Sequence, residues 1–357
     1  WQATTGKTGK DKLEATGNLG TATDDSVLQV SNVEQFELAN TGTAATYIDA
    51  SKMSNIGSLA FSATAGTVKI KNLEAGADIG LGVGLAELFG TLDVSLADST
   101  GTEDSLGLVF SETVDGHDGT LALKTSGIET INITASKDAT DAAHAYTLTT
   151  AGVDASKIVL TGGNTTFPDT YDLATLHKNT TTVDASALDG LLVIDGVSTG
   201  VATTVHHKGT TVATVTTSTG DDTIKLGKVG TVIHVIDVST GTDTLDATLT
   251  SSASDFTSID GVETFNLTIK DETAAGFDDA TKLDGINEAT TVNILGGNAL
   301  SSFTVTANSV GIVDDTASTT DNVEVIDAST FAGSLDLTID PTAFDDTLTI
   351  KGPAAST

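Results

Sequence analysis

Two short stretches place carboxylates in glycine turns just ahead of an apolar strand: Gly220-Asp221-Asp222-Thr223-Ile224 and Gly241-Thr242-Asp243-Thr244-Leu245. Turns of this kind suit a hard cation. Calcium takes roughly six to eight oxygens from carboxylates, carbonyls and water, and acidic turns supply both protein classes of ligand. The candidate calcium ligands are Asp221 with Asp222, Asp243 with Asp246, Asp345 with Asp346, and Asp115 with Asp118. Asp278-Asp279 and Asp314-Asp315 are further acidic pairs. Gly220 and Gly241 lie 21 positions apart, close to one circuit of a coiled β architecture, so the two turns are spaced to stack and share an ion. The competing reading is that acidic pairs simply solvate exposed turns.

Other chemistries find less support. The six histidines are His117, His144, His177, His206, His207 and His234. None forms a His-x-x-x-His pair, so zinc catalysis is not expected. On a strand, His206 and His207 would face opposite sides. A glycosidase needs two acids across a cleft, usually with aromatic platforms, yet aromatic residues are only 4% of the chain and scattered. No Gly-x-Ser-x-Gly elbow and no phosphate loop appear. Gly80-Leu81-Gly82-Val83-Gly84 lacks the final spacing of a dinucleotide fingerprint and is read as a turn. The chain is expected not to be an enzyme.

Composition narrows the partners. The 357 residues carry 49 Asp and Glu against 16 basic residues, all lysine, for a formal net charge of -33. Such a charge repels nucleic acid and anionic lipid, so neither is an expected partner. The absence of arginine removes the usual bidentate tool for phosphate and carboxylate. Disordered acidic chains lack aliphatic and β-branched residues. This one is rich in Val, Ile, Leu and Thr, so it should fold around an aliphatic core. It has no cysteine, so rigidity must come from repetition or metal rather than disulfides. No apolar run reaches the roughly 18 residues of a membrane span. The chain opens on Trp1 without a signal-like segment and is read as one part of a longer protein.

The elements that would position the acidic turns are short alternating strands. Examples are Ile131-Ile133, Leu335-Leu337-Ile339 and Leu348-Ile350, separated by Gly, Asn, Asp and Ser. Helical signals are few: 85–89 (LAELF), 173–178 (LATLHK) and 274–283 (AAGFDDATKL). Three phrases recur at irregular spacing. Asp-Ala-Ser followed by an apolar residue, a glycine and a strand appears at 49, 184 and 327. SNVEQFEL, SGIETINIT and DGVETFNLT share a Val or Ile before Glu ahead of an apolar strand, with a reduced form in DNVEVIDAS. LTGGN at 160–164 is echoed by LGGN at 295–298. One rung of a β-solenoid cannot bury its own apolar face, so rungs must stack and reuse the same corner residues. Asp-Ala-Ser is expected at such a corner, with Gly190 and Gly333 allowing the next bend. The expected fold class is all-β: a right-handed parallel β-solenoid, β-helix- or β-roll-like, with irregular loops and few short helices. An N-terminal β-repeat region over 1–110 and a main solenoid over 111–357 are the expected divisions.

VDASALDGLLVIDG, VIDASTFAGSLDLTI, GVETFNLT and TGDDTIKL resemble the β-strand repeats of bacterial surface-layer (S-layer) proteins and adhesins related to the repeats-in-toxin (RTX) group. The resemblance runs through most of 25–350. It implies type I secretion, a location on the bacterial cell surface outside the cell, Ca2+ in Gly/Asp-rich turns, and self-assembly into a homo-oligomeric lattice. It also leaves room for a cell-surface polysaccharide bound through another region. The group's calcium nonapeptide reads Gly-Gly-x-Gly-x-Asp-x-apolar-x. Here Thr217 and Ser218, and Val238 and Ser239, stand where its first two glycines belong, and Phe344 replaces a glycine before Asp345-Asp346. The function expected is a structural, calcium-dependent surface layer. The alternatives are the stalk or binding region of a large adhesin and, third, a polysaccharide-acting β-helix enzyme.

Overall fold

The structure is a computed structural model. It describes residues 2–4, 12–16, 30–33, 35–40, 46–56, 59–64, 66–81, 89–110, 119–135, 144–163, 169–197, 202–208, 211–217, 219–229, 234–249, 258–270, 278–282, 290–297, 302–307, 325–339 and 349–353. They form a parallel β-solenoid of repeats that divides into two compact units, residues 1–193 and 194–357.

In the first unit the chain alternates between two sheets. A main sheet runs through Asp78–Leu81, Ser105–Phe110, Thr130–Ala135, Lys157–Gly162 and Thr182–Leu188, each parallel to the next. A second sheet runs through Thr46–Asp49, Thr67–Leu73, Phe89–Leu96, Gly119–Ser126, Ala145–Gly152 and Thr170–Leu176. One strand from each sheet makes a rung. Antiparallel pairing is confined, among the described strands, to Gln2–Thr4 against Lys12–Thr16.

The second unit repeats the plan. Its main sheet carries Thr204–His207, Thr223–Val229, Thr244–Leu249, Thr264–Ile269, Thr291–Gly296, Val325–Asp327 and Thr349–Lys351. Ala213–Thr216, Val235–Asp237 and Ser258–Asp260 form its second sheet, and Asp278–Lys282, Ser302–Ala307 and Ser334–Ile339 a third.

Alternation fills the core. In Thr244–Leu249 and Thr264–Ile269 every second residue is buried, so Leu245, Ala247 and Leu249 stack on Phe265, Leu267 and Ile269. Each side chain then meets its counterpart one strand spacing away, about 4.8 Å. In the first unit Phe110, Tyr146 and Tyr171 cluster inside, with ring centroids 4.9–5.7 Å apart. Tyr146 and Tyr171 therefore belong to the core and are no platform for sugar.

Two of the three expected helices are strands: 173–176 lies in Thr170–Leu176 and 278–282 in Asp278–Lys282. Tyr171 and Leu173 point inward while Asp172 and Ala174 do not, and this rung-to-rung stacking overrides the helix propensity of Leu-Ala-x-Leu. The third, 85–89, falls outside the described residues except for Phe89, which begins a strand. The glycine pairs of the third phrase share one conformation: Gly162, Gly163, Gly296 and Gly297 all have φ between 71 and 93°, the left-handed region. No helix among the described residues is long and apolar enough to cross a membrane.

Candidate cation site at the acidic corner

The residue just before each main-sheet strand occupies a corner of the rung. In the second unit that column reads Thr203, Asp222, Asp243, Glu263, Thr290. Every carboxylate reaches back one rung and accepts a backbone N–H. Asp222 Oδ1 accepts from Thr203 N at 2.7 Å, Asp243 Oδ1 from Asp222 N at 2.6 Å, and Glu263 Oε2 from Asp243 N at 2.6 Å. The corner carbonyls are used as well, Asp222 O accepting from Thr244 N and Asp243 O from Thr264 N. In the first unit Glu129 Oε2 accepts from Asp104 N in the same way at 2.8 Å.

Two of the recurring phrases thus describe one position. The Glu of GVETFNLT and SGIETINIT and the second Asp of GDDT or the Asp of GTDT are all corner acceptors. Loops of unequal length hide this in the sequence, because the hydrogen-bonded pairs are 19, 20, 21 or 25 residues apart.

Hydroxyls take this position on other rungs, where they donate to a carbonyl instead of accepting an amide. Ser156 Oγ donates to Glu129 O, Thr181 Oγ1 to Ser156 O and Thr290 Oγ1 to Glu263 O. The corner of the first unit therefore passes from carboxylate to hydroxyl after Glu129. The corner of the second unit keeps three carboxylates in a row between threonines.

That row is electrostatically costly. Asp222 and Asp243 are 1% and 0% exposed, and the Oδ2 of each is buried without a hydrogen-bond partner. Burial pushes the Asp243 carboxyl up to about 6, and the nearby charges of Glu263, Asp222 and Asp221 push the same way against the amide bond. Asp222 is raised as well, chiefly by burial. Asp221 is exposed and accepts from Thr242 N at 2.9 Å.

The expected ligands are not all neighbours. Asp246 sits within Thr244–Leu249 in the set that alternates with the buried residues, where its Oδ1 accepts from Asn266 Nδ2 at 2.7 Å. It joins an Asp246-Asn266-Asn293 side-chain ladder rather than the corner with Asp243. Asp115, Asp118, Asp314, Asp315, Asp345 and Asp346 lie outside the described residues, and Asp278-Asp279 opens a strand rather than a turn. Among the described residues no three His, Cys, Asp or Glu side chains form a metal-holding group by themselves. A cation at the corner would draw on Asp222 and Asp243 and complete its shell with carbonyls or water, as calcium commonly does.

Asp-Ala-Ser proves to be a clasp rather than a mark of one corner. In all three copies the Asp Oδ1 accepts from the Ser N–H at 3.0–3.2 Å and the Ser Oγ at 2.6 Å. The backbone around it differs. Asp49 caps the short 3-10 turn Ala50–Lys52 after a second-sheet strand. Asp184 clasps a bulge in the main sheet, where 184–187 runs against 159–161. Asp327 holds a turn after a main-sheet strand. The clasp supplies an acceptor wherever an amide leaves the ladder. Ala185 and Ala328 are fully buried, so nothing larger fits between. Gly190 and Gly333 do lie at bends, and a Cβ on Gly190 would stand 2.7 Å from Asp169 O. A fourth Asp-Ala-Ser at 154–156 is used differently, Asp154 accepting from Asn179 Nδ2 while Ser156 serves the corner.

Stacking also joins two histidines that the sequence leaves apart. His207 faces the core and His206 does not. His234 Nδ1 accepts from Ala213 N at 3.3 Å. The two rings meet edge-on at 5.9 Å. Burial, followed by the repulsion of His234 and Lys208, holds His207 down at about 4.

No protein-family model, no characterised protein and no solved structure matches this chain.

Proposed function

We propose that this β-repeat protein is a structural segment of a bacterial cell-surface protein that assembles with copies of itself into a calcium-dependent surface layer. The observation that carries the reading is the corner column of the second unit. Serine and threonine fill the equivalent position elsewhere and donate to the neighbouring carbonyl, whereas Asp222 and Asp243 each spend one carboxylate oxygen on a neighbouring amide and hold the other in reserve. Buried, stacked and with unpartnered Oδ2 atoms, they suit a hard divalent ion. Calcium would remove the repulsion and tie consecutive rungs together. The formal charge of -33 keeps copies apart until calcium screens and bridges them. Anchoring to a surface polysaccharide is assigned to another region of the protein.

The test is electron microscopy of the full-length protein in millimolar calcium beside the same sample in chelator, with thermal melts of both. Ordered sheets that vanish in chelator, with a lowered melting temperature, are the expected result. Single elongated particles in both buffers would refute the lattice and favour an adhesin stalk, which would use the same repeats as a spacer.

A further inference from the structure

A buried hydroxyl of the second unit stands apart from the acidic turns in sequence but not in space. Thr217 is the first residue after the second-sheet strand Ala213–Thr216, on the stretch that leads to Asp222 and the main sheet. Its backbone continues the ladder, Thr217 N donating to Asp237 O at 3.0 Å. Its side chain is buried, with the residue 4% exposed, and Oγ1 has no hydrogen-bond partner.

A buried polar atom without a partner costs free energy, and most such atoms find one. The next rungs fill the same place without a hydroxyl. Register pairs Thr216 with Asp237 and Asp237 with Asp260, so the residues equivalent to Thr217 are Val238 and Gly261. Val238 is buried, and its N–H continues the same ladder to Asp260 O at 3.0 Å. Valine has the shape of threonine with a methyl in place of the hydroxyl. What Thr217 adds to the position is therefore one oxygen.

That oxygen faces the corner. Burial pushes the Asp222 carboxyl up, and the Thr217 hydroxyl beside it works the other way. Even so, neither Thr217 Oγ1 nor Asp222 Oδ2 makes a hydrogen bond. Asp243 lies on the following rung, with its Oδ1 on the Asp222 N–H at 2.6 Å and its own Oδ2 without a partner. The corner thus holds three buried oxygens without partners, a hydroxyl and one from each of two carboxylates. The mixture suits a hard divalent ion. Two carboxylates balance its charge, and a hydroxyl adds an oxygen without adding charge, as the hydroxyl of a phosphate loop does for magnesium.

We infer that Thr217 Oγ1 is a ligand of the cation at this corner, beside Asp222 Oδ2 and Asp243 Oδ2. The inference rests on the proposed cation site and adds to it a residue from outside the acidic turns. It also makes the ion an internal one. All three residues are buried, so the ion staples rungs within one copy rather than bridging two copies.

The experiment strips full-length protein with chelator, titrates it with calcium alone and follows hydrogen exchange in the peptides that carry the Thr203 and Asp222 amides, the two held by the corner aspartates. In wild type these amides should gain protection as calcium rises. Thr217→Val should need on the order of tenfold more calcium for half of that gain. Thr217→Ser, which keeps the hydroxyl, should stay near the wild-type midpoint. In chelator Thr217→Val should melt at or above the wild-type temperature, because it removes a buried hydroxyl that has no partner. A Thr217→Val midpoint equal to wild type overturns the ligand and leaves the corner site standing. The ligand also falls if Thr217→Ser is as weak as Thr217→Val, since the loss would then come from packing. It falls again if Thr217→Val melts well below wild type in chelator, since the hydroxyl would then serve the fold. Wild-type amides that gain no protection from calcium overturn the corner as a cation site, and Thr217 with it.

Discussion

Replacing Asp243 with asparagine tests whether the acidic corner costs the fold stability when no cation is present. In the folded chain the Asp243 carboxyl is raised to about 6 from an ordinary value of 3.8, mainly by burial. Between those values the folded chain holds a proton that the unfolded chain has released. Stability contributed by this group therefore falls as pH rises from about 4 to 6, and the full cost stands above 6. The shift corresponds to about 1–3 kcal/mol once screening by solvent is allowed for. The amide side chain of the Asp243→Asn variant would keep an oxygen for the Asp222 N–H while carrying no charge. Its amide hydrogens need acceptors, which lowers the gain by about 1 kcal/mol.

In chelator the melting temperature of Asp243→Asn, less that of wild type, should rise between pH 4 and 6 and level off by pH 7. The rise should be about 2–4 °C for each kcal/mol. Taking the difference cancels His207, which titrates in the same range in both chains. In millimolar calcium at pH 7 the difference should shrink or change sign, because an ion bound to the folded state stabilises wild type preferentially. A difference that stays flat from pH 4 to 7.5 in chelator would refute the account of a buried, repelled carboxylate. A flat response to calcium would refute the corner as a cation site.

His207→Leu should tolerate acid better than wild type. His207 is held near 4 against 6.5 unfolded, so its stability is present above about 6.5 and is lost as pH falls toward 4, by up to about 3 kcal/mol; melts at pH 4.5 and 7.5 check this. Gly261→Ala should cost about 2–4 kcal/mol in chemical denaturation, since φ is 77° and the new Cβ would stand 1.6 Å from Val238 O. Glu129→Ala should cost about 1 kcal/mol by orphaning the Asp104 amide, whereas Glu129→Gln keeps an acceptor and should cost less; hydrogen exchange at Asp104 distinguishes them.

The sequence makes the architecture legible because solenoid stacking forces repetition onto it. Alternating aliphatic residues, glycine pairs and the Val-or-Ile-before-Glu phrase each correspond to one structural position. What it hides is register. Asp222, Asp243 and Glu263 read as two calcium half-motifs and one unrelated strand phrase, yet they are consecutive occupants of one corner. Variable loops conceal that alignment, and they conceal the meeting of His207 with His234 for the same reason. Asp-Ala-Ser misleads in the opposite direction. Its clasp closes within three residues, so it works in a 3-10 turn, a bulge or a loop and marks no particular place on the rung.

A solenoid has a difficulty that ordinary folds escape. Placing like residues at like positions sets them about 4.8 Å apart along the whole stack. For aliphatic side chains this builds a core, and for Asp246, Asn266 and Asn293 it builds a hydrogen-bonded ladder. For carboxylates it builds repulsion that grows with burial. Three remedies exist: an amide donated by the neighbouring rung, a bound proton, and a cation. Asp222 and Asp243 use the first on one oxygen and leave the other without a partner, and the raised Asp243 shows the second being drawn in. Ser156, Thr181 and Thr290 bring no charge to the corner and donate to the neighbouring carbonyl instead. The carboxylates of Asp222 and Asp243 nevertheless stand buried on adjacent rungs of a corner that threonine occupies at Thr203 and Thr290. The third remedy, the one we propose for this corner, would cancel the charge and tie one rung to the next.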